Sequence, residues 1–292
     1  MIASELIRKI RRIEIVTTRL ADEGLAGRYH SAFRGRGMAF EEVRPYQPGD
    51  DIRAIDWNVS ARMNEPYIKL FVEEREMTVL LLVDMSKSGD LGTRAQAKRD
   101  LAAEVAAVLA FSAIRNGDRV GLLAFTDRVE RFIPPKKGKK HVLAVLTEIL
   151  THRPRNPGTD LGAALDTLGR VARRRCVAFV VSDFLASGYD HALRVVSRKH
   201  DVVPLVVCDP LEDELPDLGL VAFEDLETGE VRLLDTSATA RRAYAKHVSA
   251  ARAARESLFK KLEVESVELS TDRPYLPALV GLFRSRERRL HR

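Results

Sequence analysis

Three short stretches carry oxygen-bearing side chains at places where strand ends could bring them together. Asp84-Met85-Ser86-Lys87-Ser88 follows the apolar run Val79–Val83, Gly158-Thr159-Asp160 precedes a helical pattern starting at Leu161, and Ser182-Asp183 follows Cys176–Val181. In open α/β sheets, ligands bind beyond the carboxyl ends of the strands. Asp84, Ser86, Ser88, Thr159 and Asp183 offer two carboxylates and three hydroxyls, with no thiol or imidazole among them. Such a hard, all-oxygen set suits Mg²⁺, with Mn²⁺ and Ca²⁺ as poorer fits. With only two carboxylates, which can act through water, and otherwise weak, neutral hydroxyls, the ion is left under-neutralised and its shell open to an outside anion. That is the chemistry of docking, and no catalytic residue is assigned. Any one of these residues has a local alternative use, since Asp, Ser and Thr cap helices and close turns. Their joint occurrence in three separate loops favours the metal reading.

The elements that must position these loops are legible in the hydrophobic pattern. Val79–Val83, Arg119–Phe125, Cys176–Val181 and Val202–Val207 read as strands, and Val129–Ile133 as another. Residues 94–115, His141–Leu150, Leu161–Ala172 and about 188–199 read as helices between them. Short, wholly apolar strands alternating with helices imply a mostly parallel sheet covered on both faces. The expected fold class is therefore α/β, a three-layer, Rossmann-like arrangement with a small N-terminal and β-hairpin companion region. Before it, residues 2–20 show helical spacing of Leu6, Ile10, Ile13 and Val16. Residues 24–37 read as irregular because of Gly24, Gly27, Gly35 and Gly37. After it, 211–235 holds nine acids against a lone Arg232, with Leu220–Phe223 and Val231–Leu234 as a hairpin. A helix over 237–262, a strand Val264–Leu269 and a helix over 275–289 complete the chain. The expected division is 1–77, packing on the main domain, and 78–292, with 211–235 as an acidic insertion.

The loop motifs resemble a known family. Asp84-Met85-Ser86-Lys87-Ser88 is similar to the DxSxS of the metal-ion-dependent adhesion site in von Willebrand factor A domains. Gly158-Thr159-Asp160-Leu161-Gly162-Ala163-Ala164-Leu165 resembles their threonine loop, and Val180-Val181-Ser182-Asp183 the strand bearing their last aspartate. The resemblance implies that Ser86, Ser88 and Thr159 contact the ion, that Asp84 and Asp183 do so directly or through water, and that a partner's acidic side chain completes the shell. The block Tyr46-Gln47-Pro48-Gly49-Asp50-Asp51-Ile52-Arg53-Ala54-Ile55-Asp56-Trp57, with Ser60-Ala61-Arg62 and Glu73-Glu74-Arg75-Glu76, is similar to the bacterial domain-of-unknown-function 58 family. That resemblance covers roughly residues 25–285 and implies a MoxR-type AAA+ ATPase, or its client, as partner.

Composition bounds the alternatives. The chain has 292 residues, 45% hydrophobic and 31% charged, with a formal net charge of +6. Cys176 and Cys208 are the only cysteines, each in an apolar run, which excludes a disulfide scaffold. The scattered histidines form no zinc pattern. Charges interrupt residues 1–20, and no apolar run approaches the ~20 residues of a membrane span, so a cytoplasmic location is expected. The surplus of basic residues lies in 78–210, which holds 21 basic and 14 acidic side chains. Lys136, Lys137, Lys139 and Lys140 lack interleaved aromatics, so nucleic acid is not expected as a partner. The alternative function is a metal-dependent phosphoester hydrolase, for which Asp90 and Asp160 are the candidates by position. Asp50, Asp51, Arg53 and Asp56 read as an ion-pair cluster fastening the N-terminal segment, with Arg44, Arg62, Glu73, Glu74 and Arg75 as partners. Trp57 and Tyr46 read as packing anchors.

Overall fold

The computed structural model describes residues 24–33, 38–73, 76–92, 96–226 and 228–290, with scattered positions between 8 and 20. Contacts divide the chain into two compact units, Arg34–Met77 and the remainder. The described positions between 8 and 20 are helical; Leu6 and Ile10 lie outside the described residues.

Within the smaller unit, β1 (Met38–Pro45) pairs antiparallel with β2 (Tyr67–Glu73). Each acidic residue of the dense block here has a local task. Asp50 takes a bidentate pair from Arg44, at 2.8 Å to each oxygen. Asp51 caps the 3₁₀ turn Ile52–Ala54. Asp56 caps the helix Trp57–Met63 and pairs with Lys69 at 3.2 Å. The sequence reading missed Lys69 as a partner, and Glu74 and Arg75 lie outside the described residues. Trp57 was expected as an anchor but is 72% exposed, because Asp56 caps the helix with Trp57 as its first, outward-facing residue.

The larger unit is built on a six-stranded sheet in the order β10-β7-β6-β3-β4-β5. In chain order these strands are β3 (Thr78–Asp84), β4 (Arg119–Phe125), β5 (Val129–Lys136), β6 (Val177–Ser182), β7 (Asp201–Cys208) and β10 (Val267–Ser270). Every pairing is parallel except β4 with β5. Pro134 and Pro135 are tolerated in β5 because it is the edge strand. Val79 to Val83 are all buried, which explains why their run is continuously apolar. Each such Leu contributes roughly 1.5–3 kcal/mol by leaving water. The expected three-layer α/β arrangement with a mostly parallel sheet is present.

On one face, Leu80, Leu82, Ala178 and Val180 meet helices α5 (Leu161–Val171) and α6 (Asp190–Lys199) and Phe259 of α8 (Ala238–Lys261). On the other lie α1 (Ala26–Ala32), α3 (Lys98–Arg115), α4 (Lys139–Thr151) and α9 (Leu276–Leu290); Trp57–Met63 is α2 and Pro210–Asp213 is α7. Helix α1 corrects the irregular reading over Ala26–Ala32; 34–37 lie outside the described residues. Tyr29 and Phe33 stand one turn apart, and Phe33 packs on Phe179 and Phe283 at ring distances of 5.3 and 5.6 Å. Both rings are buried, so their spacing outweighs the glycines.

The acidic insertion forms the hairpin β8 (Leu220–Glu224) and β9 (Val231–Asp235). Strand β10 begins three residues later than the apolar pattern suggests, because Glu263 at φ 55° ends the preceding helix and Val264 is buried ahead of the strand. Both cysteines are free and buried. Among the described residues, no helix is long and apolar enough to cross a membrane.

Candidate functional site

Strand β3 pairs with β4 on one side and β6 on the other. From β3 the chain crosses through α3 to β4; from β6 it crosses the opposite way through α6 to β7. The loops after β3 and β6 therefore diverge, and this reversal opens a crevice between their carboxyl ends. Asp84, Ser86, Ser88, Ser182, Asp183 and Lys98 line a cleft there.

The loop after β3 is fixed by its own backbone. Met85 N–H donates to Phe125 O at 2.8 Å, and Lys87 N–H donates to Pro157 O at 3.1 Å. A 3₁₀ turn, Lys87–Asp90, follows. At Gly92 a Cβ would stand 2.6 Å from Ala97 Cα, so glycine is what lets the loop return against the start of α3. Lys98 N–H then bonds Leu91 O at 2.9 Å.

Hydrogen bonds join the side chains. Asp84 accepts from Ser86 N–H at 3.0 Å and from Ser182 Oγ at 2.7 Å. Ser86 and Ser88 hydroxyls are 2.9 Å apart, and Ser88 Oγ donates to Asp183 Oδ2 at 2.9 Å. Asp183 is also positioned from behind. Leu185 N–H donates to its Oδ1 at 3.1 Å, while Phe184 holds φ 56°. Left-handed backbone at a buried Phe costs energy. It is held there by the bond from Phe184 N–H to Ser182 Oγ and by edge contacts with Tyr189 and Phe259.

Burial pushes the Asp84 carboxyl up to about 6, and the nearby Asp183 charge adds to it against the bonds from Ser182 and Ser86. Asp84 therefore lacks positive compensation. Lys98 Nζ, on a residue 3% exposed, meets Asp183 Oδ2 at 2.8 Å and also reaches Glu212 Oε1. Burial opposes the ammonium charge, yet Asp183 and Glu212 hold its pKa above the ordinary value.

Four of the five residues singled out from sequence, Asp84, Ser86, Ser88 and Asp183, thus share one hydrogen-bonded network. Thr159 sits on the adjoining loop, between Pro157, which accepts from Lys87, and Asp160, whose N–H donates to Thr126 O at 2.8 Å. Asp160, not Thr159, caps α5, through Ala163 N–H at 2.8 Å. Asp90 pairs with Arg99 at 3.1 Å. Of the two acids considered for a hydrolase, Asp90 thus pairs with Arg99, which also lines the cleft, and Asp160 caps a helix. Among the described residues there is no group of three or more His, Cys, Asp and Glu arranged to hold a metal.

Sequence reading missed Lys98, took Ser182 only as part of its motif, and offered one of Glu212, Asp213 or Glu214 as an occupant of the open metal position. Lys98 had a readable signal. It lies on the stripe that continues through Leu101 and Val105, so a lysine occupies the buried face of a helix. Glu212 is one of the acids of 211–235, and it approaches Lys98 rather than the hydroxyls.

A three-layer α/β domain with a polar cleft at a sheet crossover is the class of protein this geometry defines. The chain belongs to the family described as Protein of unknown function DUF58, whose profile matches residues 42–254. A relative from Mycobacterium tuberculosis (strain ATCC 25618 / H37Rv), Uncharacterized protein Rv1480, is 34% identical over 287 residues, covering 97% of this chain and 90% of that one. YeaD of Bacillus subtilis (strain 168), also described as uncharacterized, is 24% identical over 223 residues, 75% of this chain and 52% of that one. Among solved structures, the conserved hypothetical protein BatB from Bacteroides thetaiotaomicron is similar with TM-score 0.44 and 14% identity, covering 73% of this chain and 99% of that one. The SpRpn10 VWA domain is similar with TM-score 0.39 and 12% identity, covering 72% and 94%.

Proposed function

We propose that this protein is a non-enzymatic interaction module of the von Willebrand factor A type, whose cleft takes Mg²⁺ and, through it, an acidic side chain of a partner. In this reading Asp84, Ser86, Ser88, Thr159 and Asp183 hold the ion. The observation that carries it is the convergence of Asp84, Ser86, Ser88 and Asp183 at the sheet crossover, with a buried carboxyl pushed up to about 6. Two carboxylates and hydroxyl oxygens fit a hard divalent cation. A carboxyl that resists ionisation for want of positive charge is one that a cation would relieve. Mn²⁺ and Ca²⁺ are the substitutes the same donors would accept. When bound, the ion would supply a Lewis-acidic position for an external carboxylate.

The partner proposed is a MoxR-type AAA+ ATPase or its client, in the cytoplasm, on the resemblance of the Tyr46–Trp57 block and the loop motifs to their families. The basic excess of 78–210 would speed encounter with an acidic partner. The experiment is capture of a purified MoxR-type ATPase by the immobilised full chain. Capture in Mg²⁺ that is lost in EDTA, and lost in Asp84→Ala with an unchanged circular dichroism spectrum, supports the proposal. Capture insensitive to chelator rejects the metal bridge, and absence of capture in Mg²⁺ rejects this partner.

A further inference from the structure

A cation already stands in this cleft, and it belongs to the chain. Lys98 is the first residue of α3, where the helix dipole disfavours positive charge. It is nonetheless almost wholly buried. A lysine is held in such a position only by close carboxylates, and Lys98 has two, Asp183 and Glu212.

The second carboxylate is held as firmly as the first. Glu212 belongs to a capping box at the start of α7, in which its Oε2 accepts from Asp209 N–H at 2.9 Å and Asp209 Oδ1 accepts from Leu211 N–H at 3.0 Å. Asp209 is fully buried and accepts from Thr271 Oγ1 at 2.5 Å. Tyr244 Oη closes the turn on Glu212 O at 3.0 Å. Glu212 is therefore a fixed acceptor next to the cleft. It lies outside the network of Asp84, Ser86 and Ser88.

From the juxtaposition of one buried ammonium between Asp183 and Glu212, we propose that Lys98 is an internal competitor for the divalent cation and that Glu212 is its alternative seat. An ion taking Asp183 displaces the ammonium, which keeps its charge paired by remaining on Glu212. Without Glu212 the displaced lysine would be buried and unpaired, which is strongly unfavourable. The two residues thus set how readily the cleft exchanges its own cation for an external one. This inference rests on the metal reading above.

The test is equilibrium binding of Mg²⁺ alone to the EDTA-stripped full chain, by isothermal titration, for wild type, Lys98→Met and Glu212→Gln. Removing the competitor should tighten binding by about ten-fold or more, while removing its alternative seat should weaken it by a similar factor, because charges in contact in a partly desolvated cleft interact by kilocalories. Lys98→Arg retains the competing charge and should show no such gain. Equal affinities in wild type, Lys98→Met and Glu212→Gln overturn the competition and leave the metal site standing. Absence of binding in all of them, Lys98→Met included, overturns the metal reading itself. Should Lys98→Met fail to fold by circular dichroism, Glu212→Gln carries the comparison, and an unchanged affinity there is contrary to the proposal.

Discussion

At the amino ends of the parallel strands, Tyr29 Oη donates to Asp118 at 3.1 Å, and Arg286 of α9 pairs with Asp201 while its guanidinium lies 4.5 Å above the Phe33 ring. At the carboxyl ends of the same sheet, Asp183 and Glu212 share the ammonium of Lys98, while Asp84 accepts from Ser182 Oγ and Ser86 N–H. Both ends bury polar groups under helices. At the amino end, a donor or cation answers each of these acids, and the arrangement serves to lock α1 and α9 onto the sheet. At the carboxyl end, two carboxylates contact one ammonium, and beside them Asp84 has its pKa raised first by burial and then by the Asp183 charge. Matched burial makes a structural joint, whereas unmatched burial leaves negative potential that a ligand can use.

Breaking each end should therefore give different phenotypes. The largest effect expected is functional: Asp84→Ala should abolish Mg²⁺ binding while leaving the thermal midpoint without Mg²⁺ unchanged or higher, since it removes a poorly compensated buried carboxyl. Calorimetry with a thermal melt checks both halves. Next, Arg286→Ala should lower stability by roughly 3 kcal/mol, because it strips Asp201 of its charge partner in a half-buried setting. Urea unfolding measures this, and Mg²⁺ affinity should not change. Tyr29→Phe should cost about 1–3 kcal/mol by leaving the buried Asp118 one donor short, again with Mg²⁺ affinity intact.

The smallest effect sharpens the amino-end picture through pH. His200 is buried with Nδ1 3.3 Å from Cys176 Sγ, and burial, then Lys199 and Arg175, push its pKa down to about 4. Unfolded, the same imidazole protonates near 6.5, so the unfolded chain binds the proton first as pH falls. His200 thus stays neutral in the fold, and stability declines from about pH 6.5 toward pH 4. His200→Gln should flatten that part of the acid limb, as read from melting midpoints between pH 7 and 5.

Much of this molecule is written in local pattern. The runs at Val79, Arg119, Cys176 and Val202 declare the sheet because both of its faces are covered, and DxSxS stands out because it ends one of those runs. What escaped sequence reading depends on contacts between distant residues. Helix α1 was hidden behind glycines, although Tyr29 and Phe33 share a helical face. The first described turn of α3 starts at Lys98 rather than at residue 94, and the lysine there is explained only by Asp183 and Glu212, 85 and 114 residues away. Trp57 looked like core by its type, but the cap at Asp56 turns it outward. Thr159 and Asp160 are adjacent, and the choice of cap between them is made by loop geometry that composition does not encode.

On the function proposed above, the carboxyl end of the sheet is a cation-receptive site built on Asp84 and Asp183. Its most direct test is equilibrium dialysis of the EDTA-stripped full chain against millimolar Mg²⁺, with wild type beside Asp84→Ala. One bound ion per wild-type chain and none in the folded variant is the expected result; equal occupancy of the two, or none in either, overturns the site.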